Sequence, residues 1–394
     1  MLTLPQLVQL ARTLGDQRVL SVYVHGAAED PAARLVWRTD LDRSLRDLRR
    51  WLVGSPHEER EAFERSVNRL DEVLAPFARG MPSPGWAGFV VNGVMRRAEA
   101  LPVAMPTLAT WSTGMCVAPY IHALKETRPV LVILIDARRV RVYRYANGKL
   151  AAVETVHAHA IIGAPTHMGN VQRAGFHPGV RGETARDAVQ RAHAAGTERM
   201  LREAERVVAG QRTLESAIVV GGTDRLVSRF RAFLGASGSD HVLQLESLHA
   251  DASEAEITEA AKSGGSALRD AADLRRLEEI ISGDVSRGGG TVGPAATYRA
   301  LERFTVRELY ITSQFVEDHA AEAEDAVRQA LDQGASVEQV SRFAAAALDA
   351  HGGMAALLRY PPPATSAEGA QEPNDVALSG TTMSGVPRQE PAGY

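Results

Sequence analysis

Residues 163–181 combine glycines with cationic side chains, a combination suited to binding phosphate. They read GAPTHMGNVQRAGFHPGVR and include no acidic residue. Glycines allow a backbone to approach a ligand closely, and cationic side chains suit phosphate. A long loop of this kind inside a compact domain is usually functional. The alternative is a solvated, disordered insertion without a ligand. The candidate RNA contacts are His167, Gly169, Asn170, Arg173, His177 and Arg181.

The segment after this loop predicts a basic helix over residues 184–209. Four of its arginines are separated by eight, three and four positions, so they share one helical face. A cationic stripe beside a cationic loop is typical of a surface that contacts an RNA backbone. The alternative is a solvated face whose arginines pair with the neighbouring glutamates Glu198, Glu203 and Glu205. These further RNA-binding candidates are Arg191, Arg199, Arg202 and Arg206.

A glycine-containing turn, Gly221-Gly222-Thr223-Asp224, follows a strand and precedes a helix. Such a turn could cradle a phosphate. It lacks both a Walker lysine and the full dinucleotide-binding pattern. The favoured interpretation is therefore a tight turn in which Thr223 or Asp224 caps the helix.

Two histidines and the single cysteine offer weaker chemistry. His157 and His159 alternate on a strand, but no third or fourth metal ligand is evident near them. A solvent-facing strand side is therefore favoured, and no metal or other cofactor is predicted. Cys116 cannot form an internal disulfide, and we expect it to be buried like an apolar residue.

The composition favours a cytoplasmic protein of several domains. The 394 residues are 45% hydrophobic, and the longest apolar run, residues 130–135, is far too short to span a membrane. No signal peptide is evident. Because the formal net charge is −4, a nucleic-acid partner would have to meet a local basic patch. The positive charge is mostly arginine, which suits phosphate, although a GC-rich genome would explain the same bias.

The order of elements predicts an α/β (α+β) chain of three domains and a tail. An α+β domain is expected over residues 1–126, with a hairpin turn at Asn92-Gly93. A mixed α/β domain over 127–248 contains the basic loop and a second hairpin turn at Asn147-Gly148. An α/β sandwich is expected over 249–360, with helices at 274–281 and 337–350. Residues 361–394 are rich in Pro, Gly, Ser and Thr, which predicts disorder.

Several strings, taken in order, resemble one family: GWAGFVV at 85–91, PYIH at 119–122, IVVGGTD at 218–224, VGPAATYRAL at 292–301 and GGMAALLRY at 352–360. The chain resembles the bacterial archaeo-eukaryotic release factors, which are related to class-1 release factors and Pelota and include the Balon-type hibernation factors. The resemblance covers nearly all of residues 1–360. It implies three domains in release-factor order, the third similar to kink-turn-binding ribosomal proteins.

The chain departs from this family at two motifs. Members that release peptides carry Gly-Gly-Gln in the middle-domain loop, whereas this chain has Gly169-Asn170-Val171-Gln172-Arg173. A glutamine is present without the glycine pair that would let the backbone present a water to an ester. The Asn-Ile-Lys-Ser string used to read stop codons is also missing. Gln172 is therefore only a tentative catalytic residue.

The resemblance implies a factor that binds the ribosomal A site in hibernation or in rescue of stalled ribosomes, without stop-codon reading. A factor without catalytic activity is the favoured interpretation. The implied partners are ribosomal RNA, tRNA and a translation GTPase such as EF-Tu, and we expect a monomer that does not bind membranes. One alternative is a peptidyl-tRNA hydrolase that uses Gln172. Loss of peptide release in the variant Gln172→Ala would favour the hydrolase hypothesis. A second alternative is an RNA-binding protein unrelated to ribosomes.

Overall fold

The structure is a computed structural model that describes residues 1–26, 34–159, 185–213, 216–235, 241–282, 289–340 and 342–360. The candidate contacts between 163 and 181 and the predicted tail lie outside these ranges. The helices are α1 (Leu4–Thr13), α2 (Val36–Trp51), α3 (His57–Leu74), α4 (Ala118–Glu126), α5 (Ala185–Gln211), α6 (Asp224–Leu234), α7 (Glu254–Ile281), α8 (Pro294–Glu302), α9 (Ser313–Asp318), α10 (Ala320–Asp332) and α11 (Arg342–Asp349).

The strands form three separate sheets, which confirms the mixed α/β class. The first sheet contains β1 (Arg18–His25), β2 (Gly85–Val91), β3 (Val94–Leu101) and β4 (Leu108–Thr113). The second contains β5 (Val130–Ile135), β6 (Arg139–Ala146), β7 (Lys149–His157), β8 (Ala217–Gly222) and β9 (Val242–Gln244). The third contains β10 (Gly290–Val292), β11 (Val306–Thr312), β12 (Ser336–Val340) and β13 (Met354–Leu358).

The first sheet is antiparallel, in the order β3-β2-β1-β4. Its central strand β1 is buried on both faces, which explains an apolar run without strict alternation. Leu20 and Val22 face α2 and α3, whereas Tyr23 belongs to a core shared with α10 of the third region. The predicted hairpin at Asn92-Gly93 is confirmed, since both residues have the positive φ that its turn requires (47° and 79°).

The middle sheet has the order β7-β6-β5-β8-β9. Strand β5 pairs antiparallel with β6 and parallel with β8. Every residue of β5 is buried, because α5 and α6 cover one face of the sheet and α7 covers the other. The hairpin turn at Asn147-Gly148 is also confirmed, with φ of 53° and 75°. This sheet positions β7 and α5 side by side.

The third sheet has the order β10-β13-β11-β12, and it corrects one prediction. The helix expected over residues 337–350 was wrong for its first part, because residues 336–340 form strand β12. This strand pairs in parallel with β11, where Leu309 lies opposite Val337. Gly334, with a φ of 72°, ends the preceding helix and turns the chain into the strand. The helix α11 begins only at Arg342.

The helix expected over residues 274–281 is the last part of α7, which begins at Glu254. Its N-terminal half packs on the middle sheet through Ile257 and Ala261. Its C-terminal half packs on the third sheet through Leu277 and Ile280. One helix therefore connects two cores. Among the described helices, none combines the length and the apolar character that crossing a membrane requires.

Candidate nucleic-acid interface

A groove of about 650 Å³ lies between the end of β7 and the middle of α5. Strand β7 contributes Glu154 and His157, and His159 follows the strand. Helix α5 contributes a row of basic side chains with Glu203 among them. Three of the four arginines predicted as one stripe line this groove: Arg199, Arg202 and Arg206.

The buried side of α5 fixes which residues face the groove. Met200, Leu201, Ala204 and Val208 are buried against the middle sheet and α6. Residues three and four positions apart lie on one side of a helix. Because this apolar set is anchored in the core, the arginines are held at the exposed side beside β7. The sequence periodicity therefore predicted their common orientation correctly.

Each groove arginine has a partner in the described chain. Arg199 Nη2 donates to the carbonyl oxygen of His159 at 3.2 Å. Arg202 Nη2 donates to Glu198 Oε1 at 2.8 Å, and Arg206 Nη1 donates to Glu203 Oε2 at 2.7 Å. The pairing with Glu198 and Glu203 that the sequence left open as an alternative is present.

These ion pairs are exposed, and this decides how strongly they hold the arginines. The side chains of Arg202 and Arg206 are 52% and 68% exposed. Exposed helix pairs contribute only about 0.3–0.5 kcal/mol each. A phosphate can therefore replace a glutamate at small energetic cost. The Arg202 guanidinium also lies 5.5 Å from the centre of the Phe233 ring, which restricts its direction.

The fourth predicted arginine, Arg191, lies nearer the start of α5 and is exposed. It shares the helix with the groove arginines, but the groove is lined by residues farther along the chain. The remaining predicted contacts, His167, Gly169, Asn170, Arg173, His177 and Arg181, lie outside the described residues, as does Gln172. They stay predictions.

The turn at Gly221-Gly222 has a packing role in the structure. A Cβ atom on Gly221 would lie 2.3 Å from the Leu248 carbonyl oxygen, and one on Gly222 would lie 2.4 Å from that of Ile135. Gly222 also has a φ of 140°. Thr223 occupies the N-cap position of α6 with extended backbone, but its side chain makes no capping hydrogen bond. Close backbone packing is sufficient to explain both glycines.

The histidines and the cysteine are found in the surroundings that the sequence favoured. His157 and His159 are exposed. Within the described ranges, no three His, Cys, Asp or Glu residues are grouped as a metal site would need. Cys116 is buried, as expected, and burial raises the pKa of its thiol well above the usual value.

The structure contains a second basic surface, which was not predicted from the sequence. It lies on α2 and its C-terminal tip, where Trp51 is 62% exposed and Val53 is 71% exposed. We call this set the α2 tip: Arg43, Arg46, Arg49, Arg50, Trp51 and Val53. Arg49 donates to both carboxylate oxygens of Glu64, at 2.8 and 2.9 Å, and Arg50 pairs with Asp47. The arginine spacing of three and four positions was the signal that could have identified this surface.

Comparison with known proteins gives one family match. Residues 116–265 match the model of "Bacterial archaeo-eukaryotic release factor family 10". The matched range includes the groove, α5 and the Gly221-Gly222 turn. No curated protein sequence matches the chain.

Structure comparison matches the chain to solved structures of low sequence identity and low TM-score. Dom34 of S. cerevisiae, a translation termination-like factor that interacts with Hbs1, is 11% identical with a TM-score of 0.39. The match covers 60% of this chain and 64% of the yeast chain, which is less than two thirds of its length. Pelota of Archaeoglobus fulgidus is 12% identical with a TM-score of 0.35, covering 70% and 79%.

A model of ribosome-bound archaeal Pelota and ABCE1 is 14% identical with a TM-score of 0.39, covering 91% of this chain and 94% of that chain. The family model over residues 116–265 is therefore the comparison that bears on function. Through these residues, which are fewer than half of the chain, the chain is similar to the bacterial archaeo-eukaryotic release factors.

Proposed function

We propose that this chain is a ribosome-binding translation factor that occupies the A site, in hibernation or in rescue of stalled ribosomes, without reading stop codons. The observation that carries the proposal is the family match over residues 116–265, which contain the basic groove. Ribosomal RNA is the principal partner in this proposal. tRNA and a translation GTPase such as EF-Tu are further partners.

The charge distribution supports an RNA partner. The whole chain has a formal net charge of −4, so binding to a polyanion requires concentrated local charge. The groove provides Arg199, Arg202 and Arg206 on one helical face. Arginine presents a planar donor fork that matches phosphate, and the weak exposed pairs leave it available.

The α2 tip supports the same proposal from another sheet. It combines exposed arginines with an exposed indole, Trp51. An exposed aromatic ring can stack on an unpaired base while arginines of the same helix contact phosphates. In the proposed orientation this tip faces the decoding centre, and the middle region extends towards the peptidyl-transferase centre.

A salt series with purified 70S ribosomes tests the groove. We expect the triple variant Arg199→Ala/Arg202→Ala/Arg206→Ala to bind more weakly than the wild type. The slope of log K against log salt should fall by about 2–3, because each lost phosphate contact removes roughly 0.7–0.9. Co-sedimentation at several salt concentrations measures both quantities.

The matched control keeps the charge and changes only the donor geometry. The variant Arg199→Lys/Arg202→Lys/Arg206→Lys should retain most of the salt slope, since lysine still neutralises phosphate. Both variants should fold, because the pairs they remove are exposed. An alanine variant with the wild-type slope would show that the groove does not contact RNA phosphate.

A further inference from the structure

A cluster of buried charged side chains lies where the chain passes from α4 to β5, a segment that we call the α4–β5 crossing. The side chain of Lys125, near the end of α4, is only 4% exposed. Its ammonium donates to both carboxylate oxygens of Asp273, at 2.8 and 2.6 Å, and to the carbonyl oxygen of Gln339 at 2.9 Å. Asp273 lies on α7 and Gln339 on β12. One ammonium therefore joins three elements that are far apart in sequence.

Two residues close to Lys125 also form ion pairs with α7 and β12. Glu126 accepts from Arg269 of α7 at 2.8 Å. Arg128 pairs with Glu338 of β12, which also lies 3.4 Å from the Lys125 ammonium. The crossing thus contacts α7 on one side and the third sheet on the other. Strand β5 of the middle sheet begins directly afterwards, at Val130.

The ion cluster lies between two groups of hydrophobic cores. The first and third sheets share one buried core that contains Tyr23 and Val327. The middle sheet has its own cores, on its two faces. The described chain joins the middle sheet to the others through the α4–β5 crossing and through α7, and the ion cluster ties these two connections to each other and to β12.

The energetics of buried charges suggest what the cluster does. A buried ion pair contributes little net stability compared with a well-packed apolar pair, because desolvation offsets the attraction. Removing one partner alone is costly, because it leaves a buried charge without compensation. An arrangement that separates these charges is therefore disfavoured, so the cluster specifies one mutual orientation of the elements it joins.

We propose that Lys125, Asp273, Arg128 and Glu338 form an ionic clamp that fixes the orientation of the middle sheet relative to the first and third sheets. With the clamp intact, the three sheets move as one body. With its charges removed, α7 still joins the two cores, but the α4–β5 crossing is no longer tied to α7 and β12, and the middle sheet samples other orientations. This inference does not depend on the proposed function, although it would fix the spacing between the groove and the α2 tip.

Single-molecule energy transfer in the full-length protein tests the clamp. Dyes on Val94→Cys and Ala209→Cys report on the first and middle regions, because both positions are exposed. A second pair, Ala151→Cys and Ala209→Cys, lies within the middle region and serves as the internal control. The natural cysteine, Cys116, is buried and should not be labelled.

The informative variant is Lys125→Met/Asp273→Leu, which removes both central charges and keeps an apolar pair. We expect its melting temperature to stay near that of the wild type, whereas Lys125→Met alone should lower it by roughly 5–10 °C. The efficiency distribution of the Val94–Ala209 pair should broaden or gain a second population of at least about 10%. The control pair should not change.

Two further variants keep the test decisive. Arg128→Gln/Glu338→Gln removes the outer, less buried pair and should broaden the same distribution to a smaller extent, even if the central double variant does not fold. Arg49→Met/Glu64→Leu removes an exposed pair within the first region and should change neither distribution. Wild-type distributions in every clamp variant that folds would overturn the proposal.

Discussion

The three arginines of the groove are held by contacts of different kinds. Arg202 and Arg206 pair with Glu198 and Glu203 of the same helix. The partners of these arginines depended on rotamers and on the neighbouring strand. The contact of Arg199 with the His159 carbonyl oxygen, at 3.2 Å, joins residues 40 positions apart. Helical periodicity cannot predict a contact of that kind.

One carboxyl group outside the groove has unusual proton affinity. Glu324 of α10 accepts from the backbone N–H groups of Val117 at 2.9 Å and Ala118 at 3.4 Å, at the start of α4. It lines a cleft of about 480 Å³ together with Arg12 and Arg328. Desolvation by burial outweighs the two hydrogen bonds and raises the pKa of Glu324 from 4.5 to about 7.

The raised pKa gives stability a defined pH dependence. The folded chain binds this proton more tightly than the unfolded chain, so the stabilisation is complete below pH 4.5 and is lost as the pH rises to 7. Glu324→Gln keeps an acceptor for both N–H groups but cannot ionise. We expect the free energy of unfolding of this variant to rise relative to the wild type, by about 1–3 kcal/mol between pH 5 and pH 8.

Urea unfolding at several pH values measures this difference. Glu322→Gln, an exposed position on the same helix, is the matched control and should follow the wild-type profile. Parallel profiles for the wild type and Glu324→Gln would show that Glu324 does not hold the extra proton in the folded state.

Among the helices, strands and turns, features set by local sequence were predicted correctly. A strand that depends on pairing with a distant strand was not. The two Asn-Gly turns predicted hairpins correctly, because the positive φ they favour is a local property of the residues. Residues 336–340 form β12 only because β11 offers a parallel neighbour. The adjoining sequence, rich in alanine and without a helix breaker, looked helical throughout. The β-structure there is imposed by the sheet.

The sequence at the start of α7 contains a capping box that predicts a helix, but two glycines in the helix interior argue against one. Ser253 and Glu256 form a capping box: the Ser253 N–H donates to Glu256 Oε2 at 2.8 Å, and Ser253 Oγ accepts from the Glu256 N–H at 3.3 Å. Gly264 and Gly265 in the helix interior argue locally against a helix. In the structure these glycines let α7 approach the middle sheet, since a Cβ on Gly264 would lie 2.6 Å from Val219 Cγ2.

The capping box is open to a direct test. Ser253→Ala removes the acceptor for the Glu256 N–H, and we expect a loss of about 1 kcal/mol in the free energy of unfolding. Ser253→Asp, which can still accept that bond, should lose much less. Chemical denaturation of the three proteins at one pH supplies the comparison. Equal stability of the alanine variant and the wild type would mean that the box does not stabilise α7.

At the scale of the molecule, the sequence predicted the fold class but not how the three sheets assemble. The fold class is confirmed, and the family that the sequence resembles is matched over residues 116–265. The clamp around Lys125 joins residues separated by 148 to 214 positions. The core shared by the first and third sheets joins residues still farther apart, such as Tyr23 and Val327. Composition and periodicity do not encode such pairings. The candidate contacts at 163–181 and the domain boundaries stay predictions.

We propose that this chain binds the ribosomal A site through the groove between β7 and α5 and through the α2 tip. A cryo-EM reconstruction of 70S ribosomes incubated with the full-length chain tests it most directly. We expect density for the chain in the A site, with Arg199, Arg202 and Arg206 within hydrogen-bonding distance of RNA phosphates and Trp51 beside the decoding centre. An A site without that density, or a bound chain whose groove faces solvent, would contradict the claim.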